Sequence, residues 1–146
     1  MQFSIERAVP GDAPAILQLL ADSRLPVDGL LPHLSTALVA RVRGRVIGSA
    51  ALEVYPDGAL LRSVAVDPVA RGFGVGRQLT ESALELARTL DVSAVFLLTT
   101  TAEDFFPRFA FSRITREEVP AIVRESIEFL SACPSGAIVM RRILSP

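Results

Sequence analysis

The sequence predicts a single domain of mixed α/β class, in which strands and helices alternate over residues 1–146 without a linker. Three observations lead to this prediction. Residues 45–55 follow an earlier strand across Gly44, with β-branched flanks that are typical of a β-hairpin. Residues 94–99 form a continuous apolar run, which indicates a buried central or parallel strand. Between these segments, a strand enters a glycine-rich turn and leaves it as an amphipathic helix.

Turn residues and periodicity divide the N-terminal half into elements. Asp12 is a residue type that caps helices, and the apolar residues after it recur at helical spacing. A turn at 56–58 contains Pro, Asp and Gly, each typical of reversals. The predicted elements are strand 2–9, a helix that starts at 10–12, a short helical piece within 27–34, and strands 38–43, 45–55 and 59–66.

The C-terminal half continues the alternation. The helix predicted over 74–90 is amphipathic, because its leucines and alanines at positions 79, 83, 86, 87 and 90 share one face. The elements predicted after it are strand 94–99, a short helix over 102–109, a strand near Phe111, a helix over 117–130 and a final strand over 137–143.

Composition limits the function classes. Half of the residues are hydrophobic and the formal net charge is −1, which gives no reason to expect nucleic acid or an anionic membrane as a partner. No apolar run is long enough to span a bilayer and no signal-peptide pattern follows Met1, so we expect a cytoplasmic protein. One cysteine and one histidine allow neither an internal disulfide nor a Cys/His zinc cluster, so no metal is expected.

The turn after strand 59–66 suits a phosphate. Its glycines, at positions 72, 74 and 76, permit positive φ and let backbone N–H groups face an anion at the helix N-terminus. Arg71 and Arg77 bracket it. A dinucleotide fingerprint would need glycine at position 77, and a triphosphate P-loop would need Lys followed by Ser or Thr after Gly76. The turn therefore matches neither the dinucleotide fingerprint nor the triphosphate P-loop.

What remains is Arg71-x-x-Gly74-x-Gly76 after Val66-Asp67-Pro68, and this motif resembles the coenzyme A pyrophosphate loop of the GCN5-related N-acetyltransferase (GNAT) family. The order of elements matches that family over almost the whole chain. The resemblance implies a mixed, mostly antiparallel sheet of six to seven strands, with a central splayed parallel pair and helices on both faces. It also implies acetyl-CoA as co-substrate, and dimers are frequent in the family. The implied cofactor-binding residues are Val64, Ala65, Val66, Arg71, Gly72, Phe73, Gly74, Val75, Gly76, Arg77 and Phe106.

A second landmark of the family, Ala-x-x-Phe-Tyr-x-x-x-Gly-Phe, is similar to residues 102–111. Where many relatives carry a tyrosine that protonates the departing thiolate, this chain has Phe106. Either another group is the acid or none is needed, because a thiol pKa of about 8.5 makes the thiolate a tolerable leaving group. We expect Phe106 to pack beside the cofactor or simply in the core. Ala110 replaces the usual glycine, a change expected to affect only the turn.

Four local segments are similar to acetyltransferases encoded beside arsenic-resistance genes, with some likeness to bacterial N-acetylglutamate synthases. These segments are 61–66, 97–101, the pair Phe105-Phe106, and Cys133-Pro134-Ser135. The likeness implies an acceptor that is an amino acid or a glutamate-like compound, acetylated by direct attack on acetyl-CoA. Such an acceptor needs a cation. Arg62, which alternation places on the face of Leu60 and Val64, is our candidate, with a solvated or structurally paired arginine as the alternative.

The remaining candidates concern proton transfer and acceptor binding. Glu53 has apolar neighbours and is the candidate base if it faces the cleft, although an exposed strand carboxylate is the alternative. A main-chain N–H near Val64 would polarise the thioester carbonyl. Thr99 and Thr100 offer hydroxyls for water or acceptor, or alternatively a helix cap. Cys133 borders the expected acceptor pocket, with an inert buried thiol as the alternative.

Two other function classes stay open on these residues. A catalytically degenerate relative would bind acyl-CoA as a sensor or regulatory module, which the absence of the tyrosine at Phe106 permits. A purely structural module would use its apolar final strand, 137–143, to pair across a homodimer interface. CoA binding distinguishes the first two classes from the third, and acetyl-CoA consumption distinguishes the enzyme from the sensor.

Overall fold

In the computed structural model, which describes residues 1–126, 129 and 136–144, the strands form a seven-stranded sheet. In chain order the strands are β1 (Ser4–Arg7), β2 (Ala37–Val42), β3 (Arg45–Tyr55), β4 (Gly58–Val66), β5 (Ala94–Thr99), β6 (Ser112–Ile114) and β7 (Ile138–Ile143). Across the sheet their order is β1-β2-β3-β4-β5-β7-β6. Neighbouring strands are antiparallel except for β4 and β5, which are parallel. The expected fold class is therefore confirmed.

Among the described residues, three α-helices and five 3₁₀ segments connect the strands. The helices are α1 (Ala13–Asp22), α2 (Val75–Thr89) and α3 (Ala121–Arg124), and the 3₁₀ turns are Pro10–Asp12, Leu31–Thr36, Pro68–Ala70, Phe106–Phe109 and Arg116–Glu118. The helix expected over 117–130 is interrupted, because Pro120 lacks an N–H donor and holds Val119 in an extended conformation. After Pro120 the helix resumes as α3 (Ala121–Arg124), and residues 127, 128 and 130 lie outside the described residues.

The two faces of the sheet are covered by different helices. On one face, Leu79 of α2 packs in a cluster with Leu61 and Leu97 of the central strands. On the other face, Leu20 of α1 packs in a cluster with Val39 of β2. Side chains that alternate along each strand supply both clusters, as a sheet covered on two sides requires. In the described part of the chain, no helix has the length and apolar character needed to cross a bilayer.

The central parallel pair separates after two residue pairs. Ala59 lies opposite Val95 and Leu60 opposite Phe96, and the ladder between β4 and β5 ends there. Strand β5 continues in partnership with β7 as far as Thr99. Main-chain groups of β4 beyond Leu60 are therefore not paired with β5. This is the splay that the family resemblance implies, and it positions the functional site.

A β-bulge shapes β4 at the same level. The register shifts between Ser49 and Ala51, and Ser63 has a φ of +60°, in the left-handed region. The Ser49 hydroxyl donates a 2.7 Å hydrogen bond to the Ser63 carbonyl and holds the bulge. A bulge adds one residue to a strand and resets its alternation. The expectation that Val64 shares a face with Arg62 is therefore wrong, since Val64 packs with the Leu61 cluster instead.

Asp12 stabilises the N-terminal region differently from the expected helix cap. Its side chain makes no cap bond to the following helix and instead accepts the Val9 N–H at 2.9 Å. Arg41 Nη2 lies 2.6 Å from the same carboxylate. Asp12 as a whole is only 6% exposed. The Arg41 hydrogen bond is the main reason that the pKa of Asp12 is lowered. The pair ties the start of α1 to strand β2.

This ion pair gives a pH-dependent prediction. A carboxylate whose pKa is lowered on folding stabilises the protein above its unfolded pKa of about 3.9, and the contribution disappears as pH falls through the lower folded pKa. We expect Arg41→Gln to reduce the free energy of unfolding by about 1 kcal/mol at pH 7 and by less near pH 3. Urea unfolding at both pH values measures this. Arg43→Gln, at an exposed position, is the control, and an equal loss at both pH values would contradict the assignment.

Candidate functional site

The splay between β4 and β5 opens into a cavity of about 800 Å³. Its walls come from four parts of the chain: the loop after α1, strand β4, the end of β5 with the segment after it, and the glycine turn. The lining residues are Arg24, Leu25, Pro26, Leu61, Arg62, Ser63, Val64, Ala65, Val66, Arg71, Gly76, Leu97, Leu98, Thr99, Thr100, Thr101, Ala102, Phe105 and Phe106. A cavity of this size, mostly apolar with a few polar groups, is typical of a small-molecule or cofactor site.

The glycine turn closes one end of this cavity and starts helix α2. Gly74 is the N-cap with φ +81°, a conformation that strongly favours glycine, and its carbonyl accepts the first helical bond from Gln78 at 3.0 Å. The N–H groups of residues 75–77 precede that bond and have no partner within the helix. Together with Arg71, which lines the cavity, they can hold an anion by the helix-dipole and hydrogen-bond effects.

Gly76 shows how closely this turn approaches the cavity. A Cβ at position 76 would meet the Val66 side chain at 3.5 Å and the Phe105 ring at 3.7 Å. A single methyl fits, whereas a larger side chain would extend into space that the cavity walls leave open. The turn therefore leaves room for a pyrophosphate group close to its backbone.

The expected cofactor residues divide into two groups. The group that lines the cavity comprises Val64, Ala65, Val66, Arg71, Gly76 and Phe106. The group in the turn or the start of α2 that does not line it comprises Gly72, Phe73, Gly74, Val75 and Arg77. Val75 is buried in the core, and the Arg77 side chain faces a separate surface groove along α2. For the second group, a contribution through backbone N–H groups remains a prediction.

Phe106 occupies both of its expected environments. Its ring is 7% exposed and packs edge-on against Phe105 at 5.1 Å and Phe111 at 5.9 Å between centroids. It also lines the cavity, as does Phe105, which the sequence did not single out as a cofactor residue. Ala110 follows this segment with a φ of +63°, which explains why glycine is usual there.

The threonines at the end of β5 line the cavity on the side opposite β4. The Thr99 hydroxyl accepts the Ala102 N–H at 2.9 Å, so the alternative of a cap on the following segment holds. Thr99, Thr100 and Thr101 all border the cavity as well. Their hydroxyls are thus available to an acceptor or a water there.

Glu53 and Arg62 form a buried ion pair, which the sequence did not predict. Arg62 Nη1 lies 2.8 Å from Glu53 Oε2, and their side chains are 0% and 2% exposed. The Tyr55 hydroxyl donates to Glu53 Oε1, and His33 Nε2 lies 3.5 Å from the same oxygen. The alternative of an exposed Glu53 is therefore wrong. Counting the antiparallel pairs back from the turn at 56–58 would have placed the two residues diagonally opposite each other.

The Arg62 guanidinium also fastens the loop after α1. Nε donates to the Ser63 hydroxyl at 3.0 Å and Nη2 to the Pro26 carbonyl at 3.2 Å. Arg62 lines the cavity, whereas Glu53 does not. Arg62 is thus structurally paired, as the alternative prediction stated, and its partner is the Glu53 carboxylate. Cys133 lies outside the described residues.

The loop after α1 is a part of the site that sequence reasoning missed. Arg24, Leu25 and Pro26 line the cavity, although nothing in their spacing marks them as functional. The lining residues within the described chain include three arginines and no Asp, Glu or His. The site therefore favours anionic groups and offers no lining carboxylate or imidazole as a direct base.

Comparisons with known proteins agree with this architecture. The model of the Acetyltransferase (GNAT) family matches residues 12–111. An amino-acid acetyltransferase of Mycobacterium tuberculosis is 36% identical over 129 residues, which cover 82% of this chain and 74% of that protein. A crystal structure of a Mycobacterium tuberculosis protein, Rv2747, in complex with CoA superposes with a TM-score of 0.83 at 30% identity, covering 97% of this chain and 99% of the other.

A third likeness is to a longer enzyme. The structure of N-acetylglutamate synthase from Neisseria gonorrhoeae, complexed with coenzyme A and L-arginine, superposes with a TM-score of 0.82 at 26% identity over 99% of this chain. This chain spans only 34% of that protein. The family match and the cavity beside the glycine turn lead to the same conclusion. The chain belongs to the GNAT family and is an acetyl-CoA-dependent N-acetyltransferase.

Proposed function

We propose that the acceptor is an amino acid, or a glutamate-like compound, that carries a second anionic group and is acetylated on its α-amine. The observation that carries this proposal is the charge of the cavity, which is lined by arginines at 24, 62 and 71 and, among the residues that the structure describes, by no acidic side chain. The names of the relatives, amino-acid acetyltransferase and N-acetylglutamate synthase, support the same acceptor class.

The cofactor site follows from the turn and the splayed strand. Backbone N–H groups at the start of α2 and Arg71 hold the pyrophosphate, and unpaired main-chain groups of Val64 and Val66 hold the pantetheine arm. Acetyl-CoA supplies an activated thioester. An N–H near Val64 polarises its carbonyl as charge develops on the oxygen.

The chain prepares the amine by electrostatics. Amines bind mostly as ammonium near pH 7, and nearby cations favour the neutral form because like charges repel. The proton leaves either to Glu53 through water or directly to water in the cavity. The neutral amine then attacks the carbonyl carbon, the new C–N bond forms as the C–S bond breaks, and the thiolate departs. The second proton of the nitrogen leaves to water in the cavity or to the departing thiolate. Phe106 donates no proton, and a thiol pKa of about 8.5 allows departure as the anion.

The finer acceptor identity is proposed from the local segments similar to arsenic-resistance acetyltransferases. Arsenical and phosphinic analogues of glutamate present an anionic head group on the same amino-acid frame. An arginine binds such groups through its planar fork of donors. We therefore place these analogues beside glutamate in the proposed acceptor class.

A thiol-release assay with matched acceptors tests the proposal. The panel contains L-glutamate, its phosphinic and arsenical analogues, L-glutamine, and the simple amine 4-aminobutyramide, which lacks a carboxylate. We expect kcat/KM to be at least about tenfold higher for the doubly anionic acceptors than for L-glutamine, and lowest for the simple amine. Faster turnover of the simple amine would overturn the acceptor class. CoA binding without thiol release for every acceptor would favour the sensor alternative.

A further inference from the structure

Helix α1 ends with an arginine in a conformation that glycine usually adopts. The Leu25 N–H bonds to the Leu20 carbonyl at 2.9 Å, and the Arg24 N–H bonds to the Ala21 carbonyl at 3.1 Å. This pair of bonds is the Schellman motif, whose second residue past the helix is left-handed. Arg24 is that residue, with a φ of +57°. Leu20 and Leu25 pack together in one cluster, which completes the motif.

The left-handed conformation makes arginine an unfavourable choice for the helix end itself. A Cβ in this region crowds the following carbonyl, so non-glycine residues there carry strain. No structural contact of the side chain offsets this strain, because within the described residues the Arg24 guanidinium has neither a hydrogen bond nor an ion pair. It is exposed and lines the cavity. Strain of this kind clusters at functional sites.

The position of Arg24 along the cavity is fixed by its neighbour Pro26. The Pro26 carbonyl accepts a 3.2 Å bond from Arg62, four residues before Val66. At about 3.3 Å per strand residue, Arg62 lies at most about 13 Å along β4 from the end of the strand, from which the chain continues into the glycine turn. Arg24 therefore lies toward the end of the cavity away from the pyrophosphate turn, where the proposed acceptor would sit.

Arg24 is also the arginine at this end whose charge is available. The Arg62 charge is balanced by Glu53 at 2.8 Å, and all three of its guanidinium nitrogens already donate to the protein. Arg71 belongs to the turn. Within the described part of the chain, the lining cation at this end without a carboxylate partner is therefore Arg24, which a second anionic group of the acceptor can reach.

We propose that Arg24 recognises the second anionic group of the acceptor, and that the left-handed end of α1 aims its guanidinium into the cavity. This assignment rests on the proposed function. It makes Arg24 a specificity-determining residue that no sequence motif identifies. The motif fixes the backbone at position 24 before the acceptor binds, so only the side-chain freedom of Arg24 is lost on binding.

Arg24→Gly tests the assignment, because strain and recognition predict opposite effects. Removing the side chain relieves strain, partly offset by the greater freedom of glycine in the unfolded chain, so Tm stays at or above the wild-type value. The ratio of kcat/KM for L-glutamate to that for L-glutamine falls at least about tenfold, mainly through KM for L-glutamate. Arg24→Lys retains part of the ratio. Arg43→Gly is the matched control, since Arg43 has a φ of +51° at the exposed β2–β3 turn.

Several outcomes would overturn the assignment. An unchanged glutamate-to-glutamine ratio in Arg24→Gly refutes it and leaves the proposed function intact, as does an equal change in Arg43→Gly. If the wild type releases no thiol with either acceptor, the proposed function fails. The assignment is then decided by titrating N-acetyl-L-glutamate into the CoA complexes of wild type and Arg24→Gly. Equal affinities, or no binding to the wild type, refute it there also.

Discussion

Gly76→Trp is expected to lower the affinity for CoA by at least about 100-fold while leaving the protein folded. Gly76 lies in the first turn of α2, where its N–H belongs to the proposed anion site, and it lines the cavity. A Cβ there already touches Val66 and Phe105 at ordinary contact distance, so an indole would fill the space beyond them. Calorimetric titration with CoA measures the loss, and thermal unfolding checks the fold.

Two variants separate obstruction of the cavity from general damage. Gly76→Ala adds a methyl for which the neighbours at 3.5 and 3.7 Å leave room, and we expect its CoA affinity to stay within about threefold of wild type. Gly11→Trp makes the same change at an exposed glycine where a Cβ would meet nothing within 4 Å. If Gly76→Trp binds CoA as tightly as Gly11→Trp does, the pyrophosphate turn is assigned wrongly.

The turn could be predicted from sequence because its constraints are local. Positive φ and close approach to the backbone both favour glycine, and the anion site lies at the N-terminus of the helix that follows. All of these can therefore be recognised from adjacent residues within Arg71–Gly76. The splay of β4 from β5 came with the family resemblance rather than from periodicity. The parallel pair β4–β5 was thereby expected, whereas the order of the strands across the sheet was not predicted.

The acceptor end could not be predicted in the same way, because its residues meet through long-range geometry. The sequence leaves Arg62 as either an acceptor-binding cation or a solvated or paired arginine, and only the β3–β4 register identifies Glu53 as its partner. Ser63 reads as an ordinary strand residue, since nothing local requires its left-handed bulge. Nothing in the sequence marks Arg24 as functional, and only the bond from Arg62 to Pro26 places its loop against the cavity.

Arg62→Met is expected to destabilise the protein by about 3–5 kcal/mol, the cost of leaving a buried carboxylate without its partner. Both side chains are almost fully buried, so water in the cavity replaces the lost bonds only in part. The variant also releases the Pro26 carbonyl. Urea unfolding measures the loss. Arg45→Met removes an arginine that is 70% exposed in its pair with Asp67, and we expect it to cost below about 1 kcal/mol.

The double variant Glu53→Leu with Arg62→Met identifies the source of this cost. If the penalty comes from an unpaired buried charge, removing both partners recovers much of the stability lost in Arg62→Met alone. If the penalty comes from the freed loop, the double variant remains as unstable as the single one. A loss below about 1 kcal/mol in Arg62→Met would instead contradict the buried pair itself.

Glu53→Gln then tests whether the same carboxylate also accepts the proton of the amine. The amide keeps the shape and an acceptor oxygen but cannot take a proton. As the base, Glu53 matters most at low pH, where the amine is mainly ammonium, so the rate of Glu53→Gln falls below wild type mostly there and CoA affinity is retained. A decrease by the same factor at every pH indicates that Glu53 acts only by holding Arg62. An unchanged rate removes Glu53 from the reaction, and the proton then leaves directly to water in the cavity.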